Sequence, residues 1–163
     1  MNDAPATTNL KRHTLSEARE IISKGYPAVK EMLPHLVAWL GNINSSGYSE
    51  IAEFLLSIGR PVVPHIKQAL QLNDVGEWHS SILYTQVRHW PREMVAEVKE
   101  ELDDLMWYGS EGWEVDIDAA WLLAENNLGD RDKMLAEIKR KKESCYKRVK
   151  ELEKLEEYLS TKA

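Results

Sequence analysis

The chain has 163 residues, a formal charge of −6, 43% hydrophobic and 29% charged residues. That length buries about 70% of the surface exposed by the unfolded chain, enough for one globular domain. The acid excess opposes general nucleic-acid binding, no apolar run approaches a membrane span, and the lone Cys145 excludes an internal disulfide.

Residues 1–13 are polar and lack an apolar signal region, so a flexible tail on a cytoplasmic protein is expected. Thr14-x-x-Glu17 matches a capping box, and Leu15, Ala18, Ile21 and Ile22 follow at helical spacing until Gly25. Pro27 opens a short helix through Val29 and Met32, and Pro34 another that carries Leu36, Val37 and Leu40. Asn42 to Gly47 has turn composition. Ile51, Ala52, Phe54, Leu55 and Ile58 mark the next helix, stopped by Gly59. Pro61 and Pro64 lead into a helix of Ile66, Ala69 and Leu70, and Asn73 to Gly76 is a second turn. Trp78, Ile82, Leu83 and Val87 give a further helix. Pro91 to Tyr108 reads as one long acidic helix, Tyr108 to Gly112 as a loop, and Val115 to Leu123 as a helix before the polar Asn127–Asp130.

Leu33-Pro34-His35-Leu36 and Val63-Pro64-His65-Ile66 fit one pattern, and Trp90-Pro91 begins a more diverged copy, a spacing of 27 to 30 residues. Proline suits a first helical turn because its missing N–H has no partner there. A repeat of this length with two helices per unit predicts an all-α fold: a HEAT-like stack of antiparallel helical hairpins over residues 14–129. A long amphipathic helix follows over residues 130–163, capped by Asp130 and free of Gly and Pro. Its stripe of Met134, Ile138, Cys145, Val149, Leu152, Leu155 and Leu159 is interrupted at Lys141 and Lys142. The first half is expected to pack on the stack, and the end to project or to pair in trans as a homo-oligomer seam.

The stretch from Met32 to Leu128 resembles a bacterial family of small HEAT-like helical proteins known mainly as a domain of unknown function. The resemblance rests on Leu33-Pro34 with Trp39-Leu40, Asn42-Ile43-Asn44, and Ile51-Ala52-Glu53-Phe54-Leu55 with Gly59. It continues through Val63-Pro64-His65-Ile66, Leu70, Asp74, Trp78 with Ile82-Leu83, and Pro91. Ser45-Ser46 stands where that family commonly has Trp-Pro, and the long last helix lies outside its usual extent. The resemblance implies a small partner-binding protein of the kind bacteria encode beside toxins.

Catalytic and metal-binding motifs are missing from the linear sequence. His35 and His65 fall in equivalent places of adjacent units, about 10 Å apart and too far to share a zinc. His79 and His89 have no carboxylate or cysteine at ligand spacing. Glu100, Glu101, Asp103 and Asp104 would point to different sides of a continuous helix, and Cys145 on the apolar stripe reads as packing. No cofactor and no metal is therefore expected.

Charge is unevenly placed. Residues 93–118 carry ten acids against Lys99, whereas residues 139–150 carry seven bases against Glu143. These are either solvated faces that attract one another or, for the first, a recognition surface. Trp107-Tyr108-Gly109-Ser110-Glu111-Gly112-Trp113 adds rigid aromatic area, although Trp107 and Trp113 also suit stapling two helices together. Trp39, Trp78 and Trp121 lie at core spacing. The expected partner-binding set is Glu97, Glu100, Glu101, Asp103, Asp104, Trp107, Tyr108, Glu111, Trp113 and Glu114. The expected function is that of a non-enzymatic, immunity-type inhibitor which occludes a basic bacterial toxin domain. A scaffold or oligomerising adaptor using the last helix is the alternative, and an enzyme on a helical-repeat frame is opposed by the missing catalytic spacing.

Overall fold

The computed structural model describes residues 14–72 and 76–161; the expected tail at 1–13 and most of the second turn, 73–75, lie outside the described residues. Those described form helices and no strand. Nine α-helices run in order: α1 Leu15–Lys24, α2 Leu33–Trp39, α3 Tyr48–Ile58, α4 Val63–Leu70, α5 Glu77–Thr85, α6 Arg92–Val95, α7 Lys99–Tyr108, α8 Val115–Glu125 and α9 Arg131–Ser160. Short 3-10 turns precede α2, α4, α6, α7 and α8.

Local chemistry sets the boundaries. Thr14 accepts the Glu17 N–H at 3.2 Å and caps α1, and Asp130 accepts from the Asp132 and Lys133 N–H groups at the start of α9. Pro34 and Pro64 sit in the first turns of α2 and α4, where the lost donor costs nothing. The acidic stretch after Pro91 is not one helix. It tightens to a 3-10 turn at Ala96–Val98 between α6 and α7, which lets Val95, Val98 and Leu102 all reach the core.

The helices form two layers. In one, α1 packs on α3 and α5 on α8, while side chains join α3 to α5: Tyr48 Oη lies 2.7 Å from Ser81 Oγ, and buried Gln86 donates to the Ala52 carbonyl at 3.0 Å. In the other, α2 packs on α4, and α4 on the turn before α7. Trp39, Leu40, Ile51, Leu55, Ile66, Ile82, Leu102 and Leu123 fill the space between them. Trp78 packs against this core and donates its indole N–H to the Val37 carbonyl at 3.0 Å.

α9 departs from this order. It is 30 residues long, roughly 45 Å, yet its buried residues are only Met134 and Glu137. The expected packing of its first half reduces to these first turns and Lys141. Cys145 is exposed rather than packed, as are Val149, Leu152, Leu155 and Leu159.

Candidate functional site: an acidic aromatic face and an adjoining groove

The expected acidic set divides by what each carboxylate touches. Glu97 accepts from Arg60 at 2.7 Å, and its carbonyl takes the Lys67 ammonium at 3.3 Å. Glu101 is buried, receives Gln71 Nε2 at 2.7 Å and lies 3.5 Å from Lys67. These two tie α7 and the turn before it to α4, so Glu101 in particular is turned away from any partner. Asp103 pairs with Lys99 one turn earlier on α7. Glu100, Asp104 and Glu114 remain exposed, and no ion pair among the described residues engages them.

The aromatic residues collect at the end of α7 and in the turn that follows. Tyr108 is 87% exposed, with Trp107 and Trp113 about half as much. The Glu111 side chain lies outside those described. Glu114 holds a left-handed φ of 55° as the residue before α8. Gly76, at φ +107°, sits against this turn: a Cβ there would come within 2.5 Å of Ser110 Cβ and 2.8 Å of Trp113 Cδ1. The start of α5 therefore fixes the height of the aromatic turn.

Trp121 is a correction. Its spacing suggested core, but it is 58% exposed. Val115, Ala119, Leu122 and Leu123 make the buried stripe of α8, and Ile117 and Trp121 fall on the opposite face. There they line, with Ala120 and Ile138, a groove of about 890 Å³ between α8 and α9. Lys142, Tyr146 and Arg148 contribute from α9, and Gly112 and Glu114 from the aromatic turn. Apolar residues fall on more than one side of α8, so their spacing alone does not say which side meets the core.

At one end of the groove a buried ionic cluster attaches α9. Lys141 Nζ lies 2.6 Å from Asp116 Oδ2 and 3.7 Å from Glu137 Oε1. Arg140 grips Glu137 with two bonds, at 2.5 and 2.7 Å. The Arg140 hydrogen bonds, helped by the charges of Arg140 and Lys141, overcome burial and hold the Glu137 carboxyl below its ordinary value. Nearby, burial pushes Asp118 up while Arg88, 4.0 Å away, opposes it. The basic and acidic runs of the chain thus meet at one contact, and Lys141, an interruption of the apolar stripe, is what joins α9 to the body.

His35 is exposed with its ring edge-on to Trp39, and buried His79 donates from Nε2 to the Ala69 carbonyl at 3.2 Å. Among the described residues no group of three or more His, Cys, Asp and Glu side chains is placed to hold a metal, and no helix is long and apolar enough to cross a membrane.

Residues 9–128 match the family described as Domain of unknown function (DUF5071). The chain belongs to that family. The DUF5071 match starts well before Met32, where the resemblance in the sequence begins, and takes in the helices up to α8 together with the acidic aromatic face. It stops two residues short of α9. One wall of the groove is thus built by the DUF5071 region and the other by a helix outside it. Comparison with curated proteins and with solved structures finds no match.

Proposed function

We propose that this protein is a non-catalytic, protein-binding module whose two helical layers form a HEAT-like stack. The alternation of α1, α3, α5 and α8 with α2, α4 and α7 supports the stack. The observation that carries the binding role is the aromatic set at the end of α7. Tyr108 stands almost fully exposed between two half-exposed tryptophans, with Glu100, Asp104 and Glu114 nearby. Rigid aromatic rings supply desolvated contact area at low rotamer cost, and unpaired carboxylates around them favour a basic protein and speed its approach. An immunity-type inhibitor that covers the basic cleft of a toxin enzyme has this chemistry. Affinity capture with the full chain as bait tests it. Basic proteins retained by the native chain should be lost by Glu100→Lys/Asp104→Lys/Tyr108→Ala. An unchanged set of captured proteins sinks the assignment of this face.

A second reading has its own support. The exposed outer half of α9 suits an adaptor or scaffold that uses this helix as a seam. The two roles use different surfaces and can coexist.

A further inference from the structure

We infer that the groove between α8 and α9 receives the end of α9 from a second copy of this chain, so that two copies pair with these helices antiparallel. The inference deepens the adaptor reading of α9 and rests on it. From Glu143 to Ser160 every residue of α9 is exposed, a length of roughly 27 Å. Its stripe includes Leu152 at 58% and Leu159 at 60% exposure. A seam that narrow is the kind another helix covers.

Charge selects the occupant and its direction. The half of α9 near the body, residues 139–150, carries seven bases against Glu143. The far end carries Glu151, Glu153, Glu156 and Glu157 against Lys154. Parallel, in-register pairing sets base on base and acid on acid, and crowds both bodies at one end. Antiparallel pairing sets the acidic end of each helix on the basic half of the other.

With the crossing centred at Val149, Glu156 comes level with Lys142 of the other copy, both on the stripe side of their helices. Leu159 comes level with Lys139, beside Ile138 in the groove wall. The groove offers an apolar floor of Ile117, Trp121 and Ile138 with Lys142 and Arg148 on its rim. Leucines flanked by glutamates are its complement. The tail cannot reach its own groove, because α9 is one continuous helix from Arg131 to Ser160 and does not fold back.

Sedimentation of the full chain at high micromolar concentration should give twice the 18.8 kDa monomer mass. Leu152→Glu/Leu159→Glu should raise the dissociation constant by more than about tenfold, with helix content unchanged because both side chains are exposed. Glu156→Lys should weaken the dimer several-fold, and adding Lys142→Glu should restore it. Under mild oxidation Cys145 should not cross-link two copies, since antiparallel pairing holds the two sulfurs about 12 Å apart along the axis.

A monomer at every concentration overturns the inference. So does a dimer indifferent to Leu152→Glu/Leu159→Glu, a failed charge rescue, or rapid Cys145 cross-linking, which marks a parallel seam. A monomer whose co-purifying protein is lost on Leu152→Glu/Leu159→Glu overturns self-pairing and leaves the adaptor reading standing. A monomer that loses nothing overturns both.

Discussion

Lys141 decides how α9 is attached. It neutralises two buried carboxylates, through Asp116 Oδ2 at 2.6 Å and Glu137 Oε1 at 3.7 Å, and Oδ1 of Asp116 has no hydrogen-bond partner among the described residues. Removing a buried partner strands the charge it compensated. Lys141→Ala is therefore expected to lower unfolding stability by about 3 kcal/mol, read from urea denaturation. Asp116→Asn/Lys141→Met, which removes the pair together, should recover most of the loss. The cluster also sets an acid limit. Because the folded value of Glu137 is lowered from 4.5, its contribution is fully present above that pH and lost as pH falls through the lower folded value. Because Arg140 and Lys141 lie on the same helix as Glu137, acidification should thus weaken α9 itself and lower the unfolding stability read from urea denaturation. Glu137→Gln should flatten that acid slope, and an unaltered slope assigns the acid sensitivity elsewhere. Little of this cluster was legible in the sequence. Lys141 and Lys142 could be seen to break the apolar stripe, but their partner Asp116 is set by tertiary placement. Trp121 was misplaced for a similar reason: apolar spacing shows that a side of α8 is apolar, not which side meets the core.

Among the elements, the proline-led helices and the capped ends were readable because local chemistry fixes them. Thr14, Asp130, Pro34 and Pro64 all act within a turn of their own position. The break in the acidic helix at Ala96–Val98 was not readable, since no Gly or Pro marks it; core packing of Val95 and Val98 imposes it. The limited packing of α9 was only half readable, because a stripe shows that a partner is wanted and not whether it lies in cis. Two expectations follow for elements. A chain ending at Lys142 should keep the melting temperature of the full chain at low concentration, where no dimer contributes, because it retains Met134, Glu137 and Lys141. A chain ending at Leu128 should melt several degrees lower, having lost the buried Met134 and left Asp116 unpaired. Equal melting temperatures for the two truncations would show that the first turns of α9 contribute nothing. Gly76→Ala tests the link between α5 and the aromatic turn. The new Cβ meets Ser110 and Trp113 at a positive φ, so it should both destabilise the chain by more than about 1 kcal/mol and weaken capture at the Tyr108 face.

At the scale of the whole molecule, the acidic aromatic face and the groove share an edge. Gly112 and Glu114 belong to the aromatic turn and also line the groove. Glu114 consequently has opposed effects on the two surfaces. On the aromatic face its charge favours a basic partner; beside the groove the same charge repels the glutamates of an incoming α9. Glu114→Lys leaves the left-handed backbone no more strained, because both residues are unbranched at Cβ. It should therefore weaken capture of a basic protein while lowering the dimer dissociation constant several-fold at low salt, with both effects fading as ionic strength shortens the Debye length. A general loss of stability weakens both interactions together, so opposite signs from one substitution cannot arise that way. Capture assays and sedimentation on the same preparation, at two salt concentrations, distinguish these cases. If sedimentation shows no tightening at low salt, the end of α9 does not lie over the groove beside Glu114, whatever else pairs the two chains.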